Sequence, residues 1–122
     1  MILADTSIWI SYLREGSVEL DHGLEQGSVL THSMIRGELA LGSIASRREF
    51  LDALSWLPHA LRATDDEVIA LIERHGLHGS GLGLVDVHLL ASALLTPGVR
   101  IWTKDQRLRS AAAGFGVGFE PT

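Results

Sequence analysis

Short apolar segments alternate with longer helical patterns along the whole chain, and this alternation restricts the fold more than any other feature. Residues 2–4, 28–31 and 100–103 are brief apolar runs of the kind that form buried strands. Apolar strands separated by helices form a parallel sheet that helices cover on both faces. The sequence therefore predicts an α/β protein, a three-layer α/β/α sandwich with a central parallel sheet.

The predicted helices have recognisable terminal signals. Thr64 and Glu67 form a capping box, and Gly76 ends the helix that follows them. Ser33 is the predicted N-cap of the helix that contains Glu38. Helices are predicted at residues 8–13, 18–25, 33–41, 47–54, 65–75, 84–95 and 105–113. We expect a last strand at 115–119, and residues 56–58 are ambiguous, with an edge strand as one interpretation.

Length and composition bound the remaining architecture. A chain of 122 residues with 46% hydrophobic residues fits one domain, 1–122, with a sizeable core. The chain has no cysteine, which excludes disulfides, thiolate zinc sites and cysteine nucleophiles. No signal peptide or membrane-spanning run is visible, so we expect a cytoplasmic protein without a membrane partner. Trp9, Trp56 and Trp102 lie in apolar contexts and are expected in the core.

Two aspartates follow predicted strands. Asp5 comes directly after residues 2–4, and Asp105 lies two residues past Thr103. Ligands of parallel α/β sheets bind beyond the carboxyl ends of the strands, where both aspartates are expected. The alternative is that each carboxylate only caps a helix, a position at which Asp is common.

Two further carboxylates lie within predicted helices. Glu38 is three or four positions from apolar residues of its helix, so we expect it on the apolar stripe. Asp86 lies in a helix that is apolar nearly all round and is expected to be buried. An unpaired buried carboxylate costs several kcal/mol or more, so it needs a cation, a donor or a raised pKa. The alternatives are a Glu that reaches solvent and an Asp favoured by the helix dipole.

Together these residues suggest one metal site. Four carboxylates on one edge would supply hard oxygen ligands, which suit Mg²⁺ or Mn²⁺ rather than zinc. Divalent ions held in this way can activate water and stabilise the leaving oxygen of a phosphodiester. The formal net charge of −5 argues against nucleic acid at first sight. Without the four site carboxylates the net charge is about −1. The acidity of the chain can therefore belong to the site rather than to the surface.

Four segments contain these acidic residues in order: MILADTSIWI at 1–10, IRGEL at 35–39, LVDVHLLASA at 84–93 and WTKDQRL at 102–108. With these segments the chain resembles the PIN-domain ribonucleases, and among them the VapC-type toxins of type II toxin–antitoxin systems. The resemblance covers essentially the whole chain in order, although Leu108 stands where many members have an aromatic residue.

The resemblance implies a function and a set of site residues. It implies a PIN-like fold, Mg²⁺- or Mn²⁺-dependent cleavage of RNA, a homodimer and an antitoxin that blocks the site. Transfer RNA and ribosomal RNA loops are both possible substrates at the family level. By position, the metal ligands and catalytic residues would be Asp5, Glu38, Asp86 and Asp105. Thr6, Ser7 and Thr103 could hydrogen-bond these carboxylates, and Arg36 and Lys104 could contact RNA phosphates.

Two other functions remain possible from the sequence. One is a PIN-like fold that is catalytically silent and serves as a binding module. The other is a phosphoacceptor receiver domain, which shares the length, the α/β pattern and an acidic Mg²⁺ pocket. A receiver domain needs an acidic pair near the first strand, and Asp5 has no acidic neighbour.

Overall fold

The computed structural model describes residues 1–121 and shows an α/β protein with a small parallel sheet. Residue Thr122, the end of the predicted 1–122 domain, lies outside the described residues. In chain order the elements are β1 (Ile2–Ala4), α1 (Thr6–Glu15), α2 (Val18–Glu25), β2 (Val29–Leu30), α3 (Ser33–Leu41), α4 (Arg47–Ser55), α5 (Asp65–His75), α6 (Leu84–Leu95), β3 (Arg100–Trp102) and α7 (Gln106–Gly114). Among residues 1–121, no helix is both long enough and apolar enough to cross a membrane.

The sheet has the strand order β2-β1-β3, and both pairs are parallel. Leu3 of the central strand lies level with Leu30 on one side and Ile101 on the other. All three of these side chains are buried, as expected for a sheet that helices cover on both faces. The α/β class with a central parallel sheet is therefore confirmed.

Two segments near the sheet edges differ from strict strands. The expected strand at 115–119 is wrong: this segment makes a single bridge, between Ile101 and Gly118. The reason is that the Val117 N–H donates back to the Ala112 carbonyl at the end of α7, so it is not free to extend a ladder. On the other side, the ambiguous 56–58 region leads into a bridge between Thr31 and His59.

The core contains two of the three tryptophans. Trp9 and Trp102 are buried, but Trp56 is 82% exposed, so its expected place in the core is wrong. Trp56 is the C-cap of α4, and Leu54 occupies the buried position at this end of the helix. In α6 the residues 87–93 are buried as predicted, whereas Leu84 and the last two leucines face solvent.

Four helices begin at the edge formed by the carboxyl ends of the strands, which we call the carboxyl rim. The helices α1, α3 and α7 directly follow β1, β2 and β3. Helix α6 leads back to the start of the parallel strand β3, so its own first turn lies at the same rim. The N-caps of α1 and α7 are Asp5 and Asp105. The cap of α3 is His32 rather than the predicted Ser33.

His32 ties α3 to α6 through a buried polar network. The Met34 N–H donates to His32 Nδ1 over 3.0 Å, so this nitrogen is the acceptor and the proton lies on Nε2. Nε2 lies 3.0 Å from Ser92 Oγ, which in turn donates to the His88 carbonyl over 2.9 Å. This arrangement satisfies the neutral imidazole completely. Burial, with smaller effects of His88 and Arg62, lowers the pKa of His32 from 6.5 to about 4.

We predict that this network makes the protein sensitive to acid. Between pH 6.5 and about 4 the unfolded chain protonates His32 and the folded protein does not. The contribution of His32 to the free energy of unfolding should therefore fall by up to about 1.4 kcal/mol per pH unit on acidification in this window. The variant His32→Asn keeps an acceptor for Met34 and should show a shallower slope in urea titrations. Part of the slope should remain, because the pKa of His88 is also lowered by burial. Equal slopes for both proteins would contradict the prediction.

Candidate active site at the carboxyl rim

Asp5 lies at the centre of the carboxyl rim, directly after the middle strand. Its side chain is only 7% exposed. Oδ1 accepts a hydrogen bond from the Ile8 N–H over 3.1 Å and another from the Ser7 hydroxyl. Oδ2 accepts a hydrogen bond from the Thr103 hydroxyl, which follows β3. Donors from two elements therefore hold this carboxylate in one orientation.

The protonation of Asp5 reflects two opposing effects. Burial raises the pKa of Asp5 above its ordinary value of 3.8, whereas the hydrogen bonds from Ser7, Thr103 and Ile8 lower it. The charge of Asp86 also raises the pKa of Asp5, and it is the smallest of these effects. A cation bound next to Asp5 would favour the ionised form of its carboxylate.

Asp105 is connected to Asp5 through Thr103. The Asp105 N–H donates to Thr103 Oγ1 over 3.0 Å, and Thr103 in turn donates to Asp5. Asp105 Oδ1 accepts from the Leu108 N–H over 2.9 Å and so caps α7. Its side chain is exposed. Lys104, which lies between Thr103 and Asp105 in sequence, adds another hydrogen bond to this network. Its backbone N–H donates to Ser7 Oγ over 3.0 Å.

Glu38 approaches the same region from α3. Its Oε1 accepts a hydrogen bond from Thr6 Oγ1 over 2.7 Å, and Thr6 is the first residue of α1, directly after Asp5. The expected place of Glu38 on the apolar stripe is wrong, because Ile35 and Leu39 form the buried face and Glu38 is exposed beside them. The structure instead shows the alternative for Glu38, a side chain that reaches solvent.

Asp86 lies in the first turn of α6 and is partly buried. Its Oδ2 accepts a hydrogen bond from the Gly83 N–H over 3.0 Å. This is the helix-terminal role that the sequence left open as an alternative. The full burial expected from the apolar surroundings of Asp86 is wrong, because the buried part of α6 begins at Val87.

The chemistry of these groups fits a hard divalent cation. Asp5, Asp86 and Asp105 all accept from backbone N–H groups at helix starts, yet a carboxylate has room for further bonds. Within residues 1–121, one oxygen each of Glu38, Asp86 and Asp105 has no hydrogen-bond partner in the structure. These oxygens and the nearby hydroxyls are ligands suited to Mg²⁺ or Mn²⁺.

The carboxylates are not, however, drawn together into a finished cage. No three Asp, Glu, His or Cys side chains of the described residues form a group that could hold a metal ion. The structure connects Asp5 to Glu38 through the neighbouring Thr6, to Asp105 through Thr103, and to Asp86 electrostatically. The assignment of all four as metal ligands therefore stays a prediction.

The two proposed RNA contacts lie on opposite sides of the rim. Arg36 Nη1 is 3.2 Å from His59 Nε2, on the β2 side. Lys104 Nζ donates to Ser11 Oγ of α1 over 2.7 Å, on the β3 side. Sequence reasoning missed His59 and Ser11 as neighbours, since each is remote in sequence from its partner.

Comparison with known proteins agrees with this geometry. The family model described as PIN domain matches residues 2–114, and the chain belongs to the PIN-domain family. Within that family it is of the VapC type. It is 45% identical over 117 residues to Ribonuclease VapC32 of Mycobacterium tuberculosis, from the strains CDC 1551 / Oshkosh and ATCC 25618 / H37Rv. The match covers 96% of this chain and 94% of each relative. The family resemblance stated from the sequence is therefore confirmed.

We predict that Thr103 is needed for stability at the rim. Thr103→Val removes the donor to Asp5 and the acceptor of the Asp105 N–H, and Thr103 is only 6% exposed. Leaving such partners unsatisfied should lower the free energy of unfolding by about 1–3 kcal/mol, measured by urea denaturation. Thr103→Ser keeps the hydroxyl and serves as the control. A valine variant as stable as the wild type would contradict the role.

Proposed function

We propose that the protein is an Mg²⁺- or Mn²⁺-dependent endoribonuclease that acts in the cytoplasm as the toxin of a toxin–antitoxin pair. The observation that carries the proposal is that hydrogen bonds join Thr6, the residue after Asp5, to Glu38, and Asp5 through Thr103 to Asp105, while the charge of Asp86 acts on Asp5. The similarity to a protein named Ribonuclease VapC32 supports the same activity.

The four acidic residues would hold the divalent ion in this proposal. Bound there, the ion would supply an activated water molecule and charge stabilisation for the leaving oxygen of the phosphodiester. The chain's own groups have simpler tasks. Ser7 and Thr103 fix the orientation of the Asp5 carboxylate, and Thr6 does the same for Glu38. Arg36 and Lys104 would bind phosphates of the RNA on either side.

The partners follow from the same proposal. An antitoxin protein would bind over the rim and keep RNA away from the carboxylates. A homodimer is the proposed assembly, and a loop of transfer RNA or ribosomal RNA is the proposed substrate. Sequencing of RNA ends after induced expression would identify which loop is cut.

A catalytically silent PIN-like module is the second candidate. One observation favours it, namely that the carboxylates of the described residues do not form a group that could hold a metal ion. A silent module should bind divalent ions poorly, so calorimetric titration with Mn²⁺ separates the two candidates. The receiver-domain alternative is wrong, because the chain belongs to the PIN-domain family.

Metal removal tests the proposal directly. Purified protein should cleave RNA from a panel of transfer and ribosomal RNAs in the presence of Mg²⁺ or Mn²⁺. EDTA should stop the cleavage, and added Mn²⁺ should restore it, because carboxylates alone cannot activate water in this way. Undiminished cleavage in EDTA would contradict the metal requirement, and no cleavage of any RNA would contradict the enzyme.

The variant Asp5→Asn tests the central carboxylate. We expect it to lose cleavage and Mn²⁺ binding yet to fold, because Asn also accepts hydrogen bonds at an N-cap. Burial raises the pKa of Asp5, so ionisation destabilises the folded wild type as the pH rises through that pKa. Relative to the wild type, the melting temperature of Asp5→Asn should therefore increase from acid to neutral pH.

The control for this experiment is Asp66→Asn, which removes an exposed carboxylate from the first turn of α5. It should retain cleavage and Mn²⁺ binding. Cleavage by Asp5→Asn at the wild-type rate would remove Asp5 from the site.

A further inference from the structure

We propose that Arg36 and Arg62, which together with His59 are here called the basic cluster, bind phosphate groups of the RNA backbone beside the carboxylates. The proposal rests on the proposed function and extends it by a binding surface. Two of the three residues, His59 and Arg62, come from the segment between α4 and α5, which no motif of the sequence connects with the site.

Contacts between two parts of the chain, α3 and the segment between α4 and α5, define the cluster. Arg36 Nη1 lies 3.2 Å from His59 Nε2, and since arginine only donates, the imidazole nitrogen is the acceptor. Arg62 Nη1 donates to Ser33 Oγ over 3.2 Å. Ser33 and Arg36 are three residues apart on α3 and therefore neighbours on its surface. Both guanidinium groups thus lie over the first turn of the same helix.

The arginines of the cluster are not neutralised by carboxylates. The salt bridge found among residues 1–121 joins Arg109 to Glu120, and it involves neither arginine of the cluster. Asp65 follows Arg62 by three residues without forming an ion pair with it. The positive end of the α3 dipole adds to the field of the two guanidinium groups. The surface is therefore suited to an anion with several oxygen atoms.

The register of the sheet places this surface next to the site. Leu3 pairs with Leu30, so Asp5 lies level with His32, the residue before Ser33. Adjacent strands are about 4.8 Å apart, so the first turn of α3, over which the cluster lies, starts one strand away from the central carboxylate. Glu38 and Arg36 are two residues apart on α3 and leave it on different sides, Glu38 towards Thr6 of α1 and Arg36 towards His59.

RNA fits this arrangement better than an acidic protein segment. A substrate that reaches the acidic rim carries a negative phosphate on every nucleotide, and the phosphates beside the scissile bond need cations next to the carboxylates. Guanidinium groups bind phosphate oxygens in a bidentate manner, and phosphate contacts position RNA without reading its sequence. The basic cluster supplies two such groups at one flank of the rim.

The experiment compares RNA binding by variants that cannot cleave. In the Asp5→Asn background, fluorescence anisotropy with a labelled single-stranded RNA of mixed sequence gives the Kd over a range of salt concentrations. Arg36→Ala with Arg62→Ala should weaken binding roughly tenfold or more. It should also reduce the slope of log Kd against log salt by about 0.7 for each lost phosphate contact. Arg36→Lys with Arg62→Lys should restore most of the slope.

The matched control is Arg74→Ala, which removes an exposed arginine near the end of α5 and should leave the Kd unchanged. Thermal melting shows whether the double variant folds. A folded double alanine variant with the Kd and salt slope of its parent overturns the proposal. The proposal is also overturned if RNA binding is unchanged while binding of a polyglutamate peptide is lost, which would assign the cluster to an acidic protein.

The wild type and the alanine variants also distinguish the proposal of a ribonuclease from the proposal that the basic cluster binds RNA. If the wild type cleaves RNA and the alanine variants bind it equally well, the basic cluster is refuted and the ribonuclease stands. If the wild type binds RNA through the cluster but never cleaves it, the cluster stands and the ribonuclease is refuted.

Discussion

The buried carboxylate of Asp5 is the constraint on which the rim depends. It caps α1, and it accepts hydroxyl hydrogen bonds from its own helix and from the residue that follows β3. Burial makes its charge costly, and these donors offset part of that cost. The same three bonds fix the start of α1 against the end of β3. The interaction that stabilises the rim therefore also positions the group at the centre of the candidate site.

Much of the fold followed from the alternation of apolar runs and helices. The strands at 2–4 and 100–102 and the capping box at Thr64 are where the pattern predicted them. The failures have local causes. Residues 115–119 are as apolar as a strand, but a backbone N–H in this segment remains bonded to α7. The exposure of Trp56 depends on which side of α4 faces the core, and a single aromatic residue near a helix end does not determine this.

The site was predictable in outline but not in its connections. The position of Asp5 and Asp105 after strands follows from the topology of a parallel sheet. The burial of Glu38 and Asp86 was overestimated, because periodicity describes the neighbours of a residue and not the direction in which a long side chain leaves the helix. The bonds of Thr6 to Glu38 and of His32 to Ser92 join residues 32 and 60 positions apart. Patterns within one segment carry no information on such pairs.

The strands of this sheet are only two or three residues long, and this shortness has a consequence for how the protein tolerates insertions. In a strand, adding one residue turns every following side chain to the opposite face. One residue inserted before Asp5 would point the Asp5 carboxylate away from the Thr103 hydroxyl. Because the strands are so short, few ladder hydrogen bonds would resist this shift. An extra residue at 78–80, in the loop between α5 and α6, would leave every strand pair in place. Length variation compatible with this site is therefore confined to the loops.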